Sequence, residues 1–260
     1  IRGMKRFAVE QAGHVTAEKS APSTGKKIAI VGGGPSGLSA AYYLSLMGHD
    51  VEIFEQRIKL GGMLRYGIPN YRLPRELLDE EIDVILSTGP KVHTGISIGQ
   101  DLSVEDLNEK FDAVYLAIGA HIDKKIPLEH QDAIGVFPAV ELLRQIGDDQ
   151  YPNFTGKKIA IIGGGNVAMD VARTSVRLGA EKVSVVYRRR ADDMTAMKDE
   201  IEDAQAEGCE IFELNAPERV ETDENGHIIG LWVTPQIIGP IKAGRPMPVQ
   251  SSQNHVKIDC

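Results

Sequence analysis

The chain has 260 residues, 42% hydrophobic and 25% charged, with a formal net charge of −8. That length suffices for one large or two medium domains, and the acidic balance excludes a general binder of nucleic acid or of anionic membrane, which needs net positive surface. No uninterrupted apolar run approaches the roughly 20 residues that span a bilayer, and the first 20 residues are polar and basic, without the apolar segment of a secretory leader.

Residues 4–9 read as a helix fragment and 20–25 as a polar linker. Lys27-Ile28-Ala29-Ile30-Val31 is a continuous apolar run before glycines, the pattern of a strand buried on both faces of a parallel sheet. A helix over 38–47 closes at Gly48 and a strand follows over 51–54. The stretch Gly61-Gly62-Met63-Leu64-Arg65-Tyr66-Gly67-Ile68-Pro69 is glycine-rich yet apolar, as loop backbone packed against something would be. A helix over 74–88 places Leu77, Leu78, Ile82 and Ile85 on one face. Ser103 and Asp106 form a capping box for a short helix to Phe111, and 113–118 reads as a further buried strand. A second cycle opens with a strand over 158–162, a helix over 166–178 ended by Gly179, a strand over 182–187, a helix over 194–207 and a strand over 209–213. Asn225-Gly226 between two apolar segments signals a hairpin.

The segment 28–55 therefore resembles the segment 159–187, and two βαβ units imply an α/β architecture. In the first, Gly32, Gly34 and Gly37 stand in a G-x-G-x-x-G frame between a strand and a helix. The first glycine permits the tight turn, the second lets backbone approach a pyrophosphate, and the third lets helix and strand pack closely. The helix N-terminus then offers unpaired N–H groups to the anion. A bare glycine motif is as often a surface loop. Here Glu55, 23 residues after Gly32 at a strand end, supplies the carboxylate that accepts the hydroxyls of an adenosine ribose.

The second unit reads Gly163-Gly164-Gly165-Asn166-Val167-Ala168, and opposite Glu55 stands Tyr187, followed by Arg188, Arg189 and Arg190. A carboxylate would repel a 2′-phosphate, whereas guanidinium groups bind one through forked hydrogen bonds. The plainer reading of three arginines is a solvated strand end; the cradle before them favours an NADP site. Two adenosine readers imply two cofactors, and a hydride donor beside a second dinucleotide suggests transfer to a flavin. No catalytic acid–base pair stands out. The seven histidines, His14 among them, are scattered and read as surface or packing residues. The two cysteines, Cys209 and Cys260, form no C-x-x-C pair and match no zinc or iron–sulfur spacing, which suits a reducing cytosol and leaves no metal ligand set.

At these motifs the chain resembles the small (beta) subunit of NADPH-dependent glutamate synthase and its relatives, the NADPH/FAD domains of dihydropyrimidine dehydrogenase and, more distantly, adrenodoxin reductase. The residues that carry the resemblance are Val31-Gly32-Gly33-Gly34-Pro35-Ser36-Gly37-Leu38, the 61–69 stretch with Tyr71-Arg72-Leu73-Pro74, Ala117-Ile118-Gly119-Ala120, the 163–170 turn, and Val186-Tyr187-Arg188-Arg189. The likeness implies two Rossmann-like nucleotide-binding domains of the FAD/NAD(P) disulfide-reductase-like superfamily. It implies FAD contacts at Gly32, Gly34, Pro35, Ser36, Gly37, Glu55, Gln56, Gly62, Met63, Leu64, Val92 and Gly119. NADPH would lie against Gly163, Gly165, Asn166 and Val167, with Arg188 and Arg189 on the 2′-phosphate and Glu200 near the nicotinamide half. Thr195 stands where many relatives have proline.

The resemblance further implies a linker over 1–24 after an absent iron–sulfur segment, the first part of an FAD domain over 25–125, an NADPH domain over 126–252, and the start of a return to an incomplete FAD domain over 253–260. The expected activity is that of a cytoplasmic NADPH:FAD oxidoreductase. It would pass electrons to 4Fe-4S clusters in the absent segment or to a partner, an iron–sulfur amidotransferase large subunit or another redox protein. The rival expectations are a catalytically silent dinucleotide-binding subunit, a flavin reductase with a different acceptor, and a simple NAD(P)-dependent dehydrogenase. The last needs a general base that the sequence does not display.

Overall fold

The computed structural model describes residues 2–13, 15–17 and 20–260; Ile1, His14, Glu18 and Lys19, all within the expected linker, lie outside the described residues. The chain divides into two compact units, Ile1–His121 and Ile122–Cys260.

The first unit runs α1 (Arg2–Ala12), β1 (Lys27–Val31), α2 (Pro35–Leu46), β2 (Asp50–Glu55), α3 (Met63–Tyr66), α4 (Arg75–Leu86), β3 (Lys91–Thr94), α5 (Val104–Lys110) and β4 (Ala113–Leu116). Its sheet is wholly parallel, in the order β3-β2-β1-β4. The central strands are apolar because both faces are covered: Ala29, Ile30 and Ile53 are fully buried and Val51 nearly so. Each large side chain removed from water there contributes roughly 1.5–3 kcal/mol. On α4, Leu78 and Ile82 face this core while Leu77 is exposed, which narrows the expected apolar stripe. The capping box of α5 forms as expected: Ser103 Oγ accepts the Asp106 N–H at 3.0 Å and Asp106 Oδ2 accepts the Ser103 N–H at 2.9 Å. The 113–118 segment corrects its expectation of burial. Its strand β4 borders only β1 among the described residues, and Tyr115, Leu116 and Ile118 are exposed. An apolar run registers hydrophobicity but not which side of an edge strand is covered.

The second unit comprises α6 (Ala139–Gly147), β5 (Lys158–Ile162), α7 (Asn166–Arg177), β6 (Lys182–Tyr187), a short 3₁₀ turn (Ala191–Asp193), α8 (Lys198–Ala206), β7 (Glu210–Glu213), β8 (Asn215–Thr222), β9 (Ile228–Lys242), β10 (Arg245–Gln250) and β11 (Val256–Ile258). Strands β5-β6-β7 form a parallel sheet. The long β9 pairs antiparallel with β8 and β11 along its first half and with β10 along its second. The helix expected over 194–207 begins only at Lys198. Met194 and Met197 are extended, and the N–H groups of Thr195 and Ala196 donate to Gly164 O instead of continuing a helix. Gly226 turns the expected hairpin at φ +80°. Residues 253–260, where a return to the first domain was expected to start, carry β11, which pairs with β9 inside the second unit. Among the described residues no helix is long and apolar enough to cross a membrane.

Candidate functional site

In the first unit the chain leaves β1 through Gly32, whose φ of +110° only glycine adopts readily, and a Cβ there would overlap the backbone of Ala117. A Cβ on Gly37 would overlap Gly32 O, so α2 and β1 meet at a distance that only glycine permits. At Gly62 (φ +50°) a Cβ would come within 2.7 Å of Gly34 Cα, and Gly61 donates its N–H to Gly33 O at 2.8 Å. The apolar glycine-rich stretch is therefore packed directly on the first glycine turn. Arg65, buried and donating to Leu60 O at 2.6 Å, is paired with Asp79 and anchors α3 beneath it.

The resulting cleft has a volume of about 400 Å³. Its wall brings together Gly32, Gly34, Pro35, Ser36, Glu55, Gln56, Gly62, Met63 and Gly119. Three residues expected to touch a flavin nucleotide stand elsewhere. Gly37 is buried in the α2 packing, and Leu64 and Val92 pack against the core formed by Ile30, Leu38 and Val51. The strand that carries Val92 turns its side chain inward, and the wall beyond it is made by Ile96, Ser97 and Ile98. Those three and His121 were missed from the sequence, where only the apolar–polar–apolar alternation of 96–98 hinted at them.

Glu55 is 7% exposed at the floor of this cleft. Its Oε2 accepts the Gly33 N–H at 2.7 Å and its Oε1 the Arg57 N–H at 2.8 Å. Each carboxylate oxygen retains acceptor capacity for a further hydroxyl. On the wall Ser36 Oγ lies 3.1 Å from Tyr115 Oη. The residues thus fit a dinucleotide: an open glycine turn at the N-terminus of a twelve-residue helix and a carboxylate at the adjoining strand tip.

The second unit repeats the turn with other partners. Gly163 has φ +142°, and Gly165 is the N-cap residue of α7. A Cβ on Gly164 would stand 2.7 Å from the ring of Tyr187, the counterpart of Glu55. Asn166 and Val167 are exposed at the helix start, and Asn166 Oδ1 accepts the Met197 N–H at 2.9 Å. Of the arginine trio, Arg190 is tied to Asp193 (Nε–Oδ2 2.9 Å), which holds the Asp193 carboxyl below its ordinary value. Arg189 donates through Nε to Pro246 O at 2.8 Å, leaving its terminal fork, and Arg188 is exposed. Glu200 is drawn away from its expected role: its Oε2 accepts from Arg173 Nη1 at 2.7 Å within a cluster of Arg173, Arg177, Asp203 and Glu207. Asp170, whose plainer reading was a helix-surface acid, is buried.

Both cysteines are free thiols. Burial pushes each up to about 11, so both are protonated at neutral pH and weak nucleophiles. Among the described residues no group of three or more His, Cys, Asp or Glu could hold a metal ion.

The chain is 40% identical over 247 residues to the NADP(+)-dependent formate dehydrogenase subunit beta of Moorella thermoacetica, covering 93% of this chain and 35% of that protein. It is 40% identical over 246 residues to the NADPH-Fe(3+) oxidoreductase subunit beta of Geobacter sulfurreducens, covering 92% and 36%. The likeness to the glutamate synthase [NADPH] small chain is met in Escherichia coli at 32% identity, covering 90% and 52%. The chain thus spans about a third of the length of the first two of these relatives. Its fold matches FprA of Mycobacterium tuberculosis, a structure solved in complex with NADPH, with a TM-score of 0.75 at 18% identity, over 90% of this chain and 69% of that one. Residues 26–225, which hold both glycine turns and both strand tips, match the model of the pyridine nucleotide-disulphide oxidoreductases, and the chain belongs to that family.

Proposed function

We propose that the chain seats FAD on the first glycine turn and NADPH on the second, as the nucleotide-binding core of a cytoplasmic NADPH-dependent flavoprotein oxidoreductase of the glutamate synthase small-subunit type. Electrons would leave toward iron–sulfur clusters or a partner redox subunit, in keeping with relatives that are themselves named as subunits. One contrast carries the reading: the same strand tip bears Glu55 in one unit and Tyr187-Arg188-Arg189 in the other. When bound, the nicotinamide supplies a hydride and the flavin divides its electron pair into single electrons.

The protein's own part is binding and orientation. The backbone around Gly34 and Gly62, with Ser36, holds a pyrophosphate against the start of α2. Glu55 accepts the ribose hydroxyls while its other contacts keep the glycine turn in shape. Gly163 and Gly165 receive the second pyrophosphate, and Arg188 with the terminal fork of Arg189 receives the 2′-phosphate. The test is anaerobic absorbance of the full-length protein: a flavin band that NADPH bleaches, and that NADH bleaches only at much higher concentration, supports the reading. A protein that purifies colourless and takes up no added FAD overturns it.

A further inference from the structure

The β9–β10 hairpin was not foreseen from the sequence, and it folds back onto the arginine turn. Its two-residue connection, Ala243-Gly244, has positive φ at both positions (+51° and +75°), the geometry of a tight hairpin turn of the type whose twist suits antiparallel strands. Lys242 pairs with Arg245 across it, so the turn fixes where Arg245 begins β10. The Arg245 guanidinium donates through Nη2 to Tyr187 Oη at 2.9 Å and to the carbonyl oxygen of Asp193. Tyr187 Oη itself donates to Asp193 O at 3.0 Å. Arg189 answers from the other side, donating to Pro246 O.

We propose that Arg245 is a specificity-determining positioning residue for the adenosine 2′-phosphate, acting from a hairpin 58 residues beyond Tyr187. This rests on the NADPH reading of the second cradle. Tyr187 and Asp193 are the two ends of the turn that carries Arg188, Arg189 and Arg190. Bridging those ends through the one Nη2 group of Arg245 holds the intervening arginines in a single arrangement. A lysine ammonium has donors enough for both bonds, but its stem is one bond shorter than the arginine's reach to Nη2, so it would meet the two acceptors less well. Arg190 is already neutralised by Asp193, so the turn's power to read a phosphate rests on where Arg188 and the fork of Arg189 point. Arg245 also adds a cation to a site that must hold a dianion.

The test measures binding of NADPH, NADH and 2′,5′-ADP to the full-length protein and to Arg245→Ala and Arg245→Lys. Wild type should prefer NADPH and bind 2′,5′-ADP; if it shows no preference, the NADPH reading fails, and this proposal with it. Given that preference, Arg245→Ala should weaken NADPH and 2′,5′-ADP by roughly tenfold, the loss of one charged hydrogen bond, and leave NADH nearly unchanged. Arg245→Lys should recover only part of the loss. Equal weakening of NADPH and NADH, or no change in either, would reduce Arg245 to a structural clip and overturn the proposal. A thermal midpoint for each variant shows that the hairpin still folds.

Discussion

The Glu55 carboxylate accepts the backbone N–H of Gly33 at 2.7 Å, from a position that is 7% exposed. The acid that would read a ribose is thus also the support of the glycine turn it serves. In the second unit the equivalent support is the ring of Tyr187 beneath Gly164. That exchange of a hydrogen bond for an aromatic face frees the strand tip from any need for a carboxylate.

Glu55→Ala removes the acceptor for two N–H groups, of Gly33 and Arg57. Leaving them unpaired should cost about 1–3 kcal/mol each, more for the buried Gly33. We expect a lowered unfolding midpoint together with loss of bound flavin, read by thermal melting and by the flavin-to-protein absorbance ratio. Loss of flavin with an unchanged midpoint would show that the carboxylate does not support the turn.

Two alanine substitutions in the same turn should separate folding from binding. Gly34 has φ −83°, and a Cβ there meets only Gly62 Cα at 3.6 Å, so Gly34→Ala should change stability by no more than about 0.5 kcal/mol. Its methyl group enters the space a pyrophosphate needs, so flavin affinity should fall by about tenfold or more. Gly37→Ala drives a Cβ into Gly32 O and should destabilise the first unit by about 4 kcal/mol. Denaturant midpoints and flavin titration of the two variants check the contrast.

Replacing Arg188 and Arg189 by alanine should weaken NADPH far more than NADH, by roughly 1.5–3 kcal/mol per lost charged hydrogen bond. Calorimetric titration of both cofactors measures the difference. Arg188 should contribute the larger part, since Arg189 also anchors the hairpin through Pro246 O. A parallel loss for both cofactors would show that the arginines do not distinguish a phosphate.

The Arg177 guanidinium beside Glu207, with Arg173 acting in the same direction against burial, holds the Glu207 carboxyl below its ordinary value of 4.5. A carboxylate lowered in this way stabilises the fold fully above pH 4.5, and the contribution disappears as pH falls through the folded value. Glu207→Gln, which keeps shape but not charge, should therefore be less stable at pH 7 by about 1 kcal/mol, because solvent screens a pair whose Arg177 side chain is 40% exposed. The gap from wild type should close as the medium is taken below pH 4.5. Urea midpoints across that range decide it, and a gap independent of pH would remove the ion pair as its cause.

Much of this arrangement was legible in the order of residues. The strands β1, β2, β5 and β6 announce themselves as apolar runs ending in glycine or a charged residue. The capping box at Ser103 and the turn at Gly226 are local signals met within four residues, and both form as read. Other signals misled because they depend on distant neighbours. The 194–197 segment has helical composition, yet the N–H groups of Thr195, Ala196 and Met197 are captured by Gly164 and Asn166 some thirty residues earlier. Glu200 lies at a suggestive spacing, but Arg173 on the facing helix takes its charge.

Two glycine turns, each on a strand–helix junction, and the exchange of an acid for arginines at the second strand tip follow from the order of residues alone. These are properties of residues within one βαβ unit, where 3.6- and 2-residue periodicities translate spacing directly into position. That Gly62 presses on Gly34, that Tyr187 underlies Gly164, and that Arg245 closes the arginine turn from a separate hairpin become visible only in the folded chain. Those contacts join residues whose separation along the chain carries no fixed distance in space, so they exist only once the sheets have formed and the loops have been packed against them.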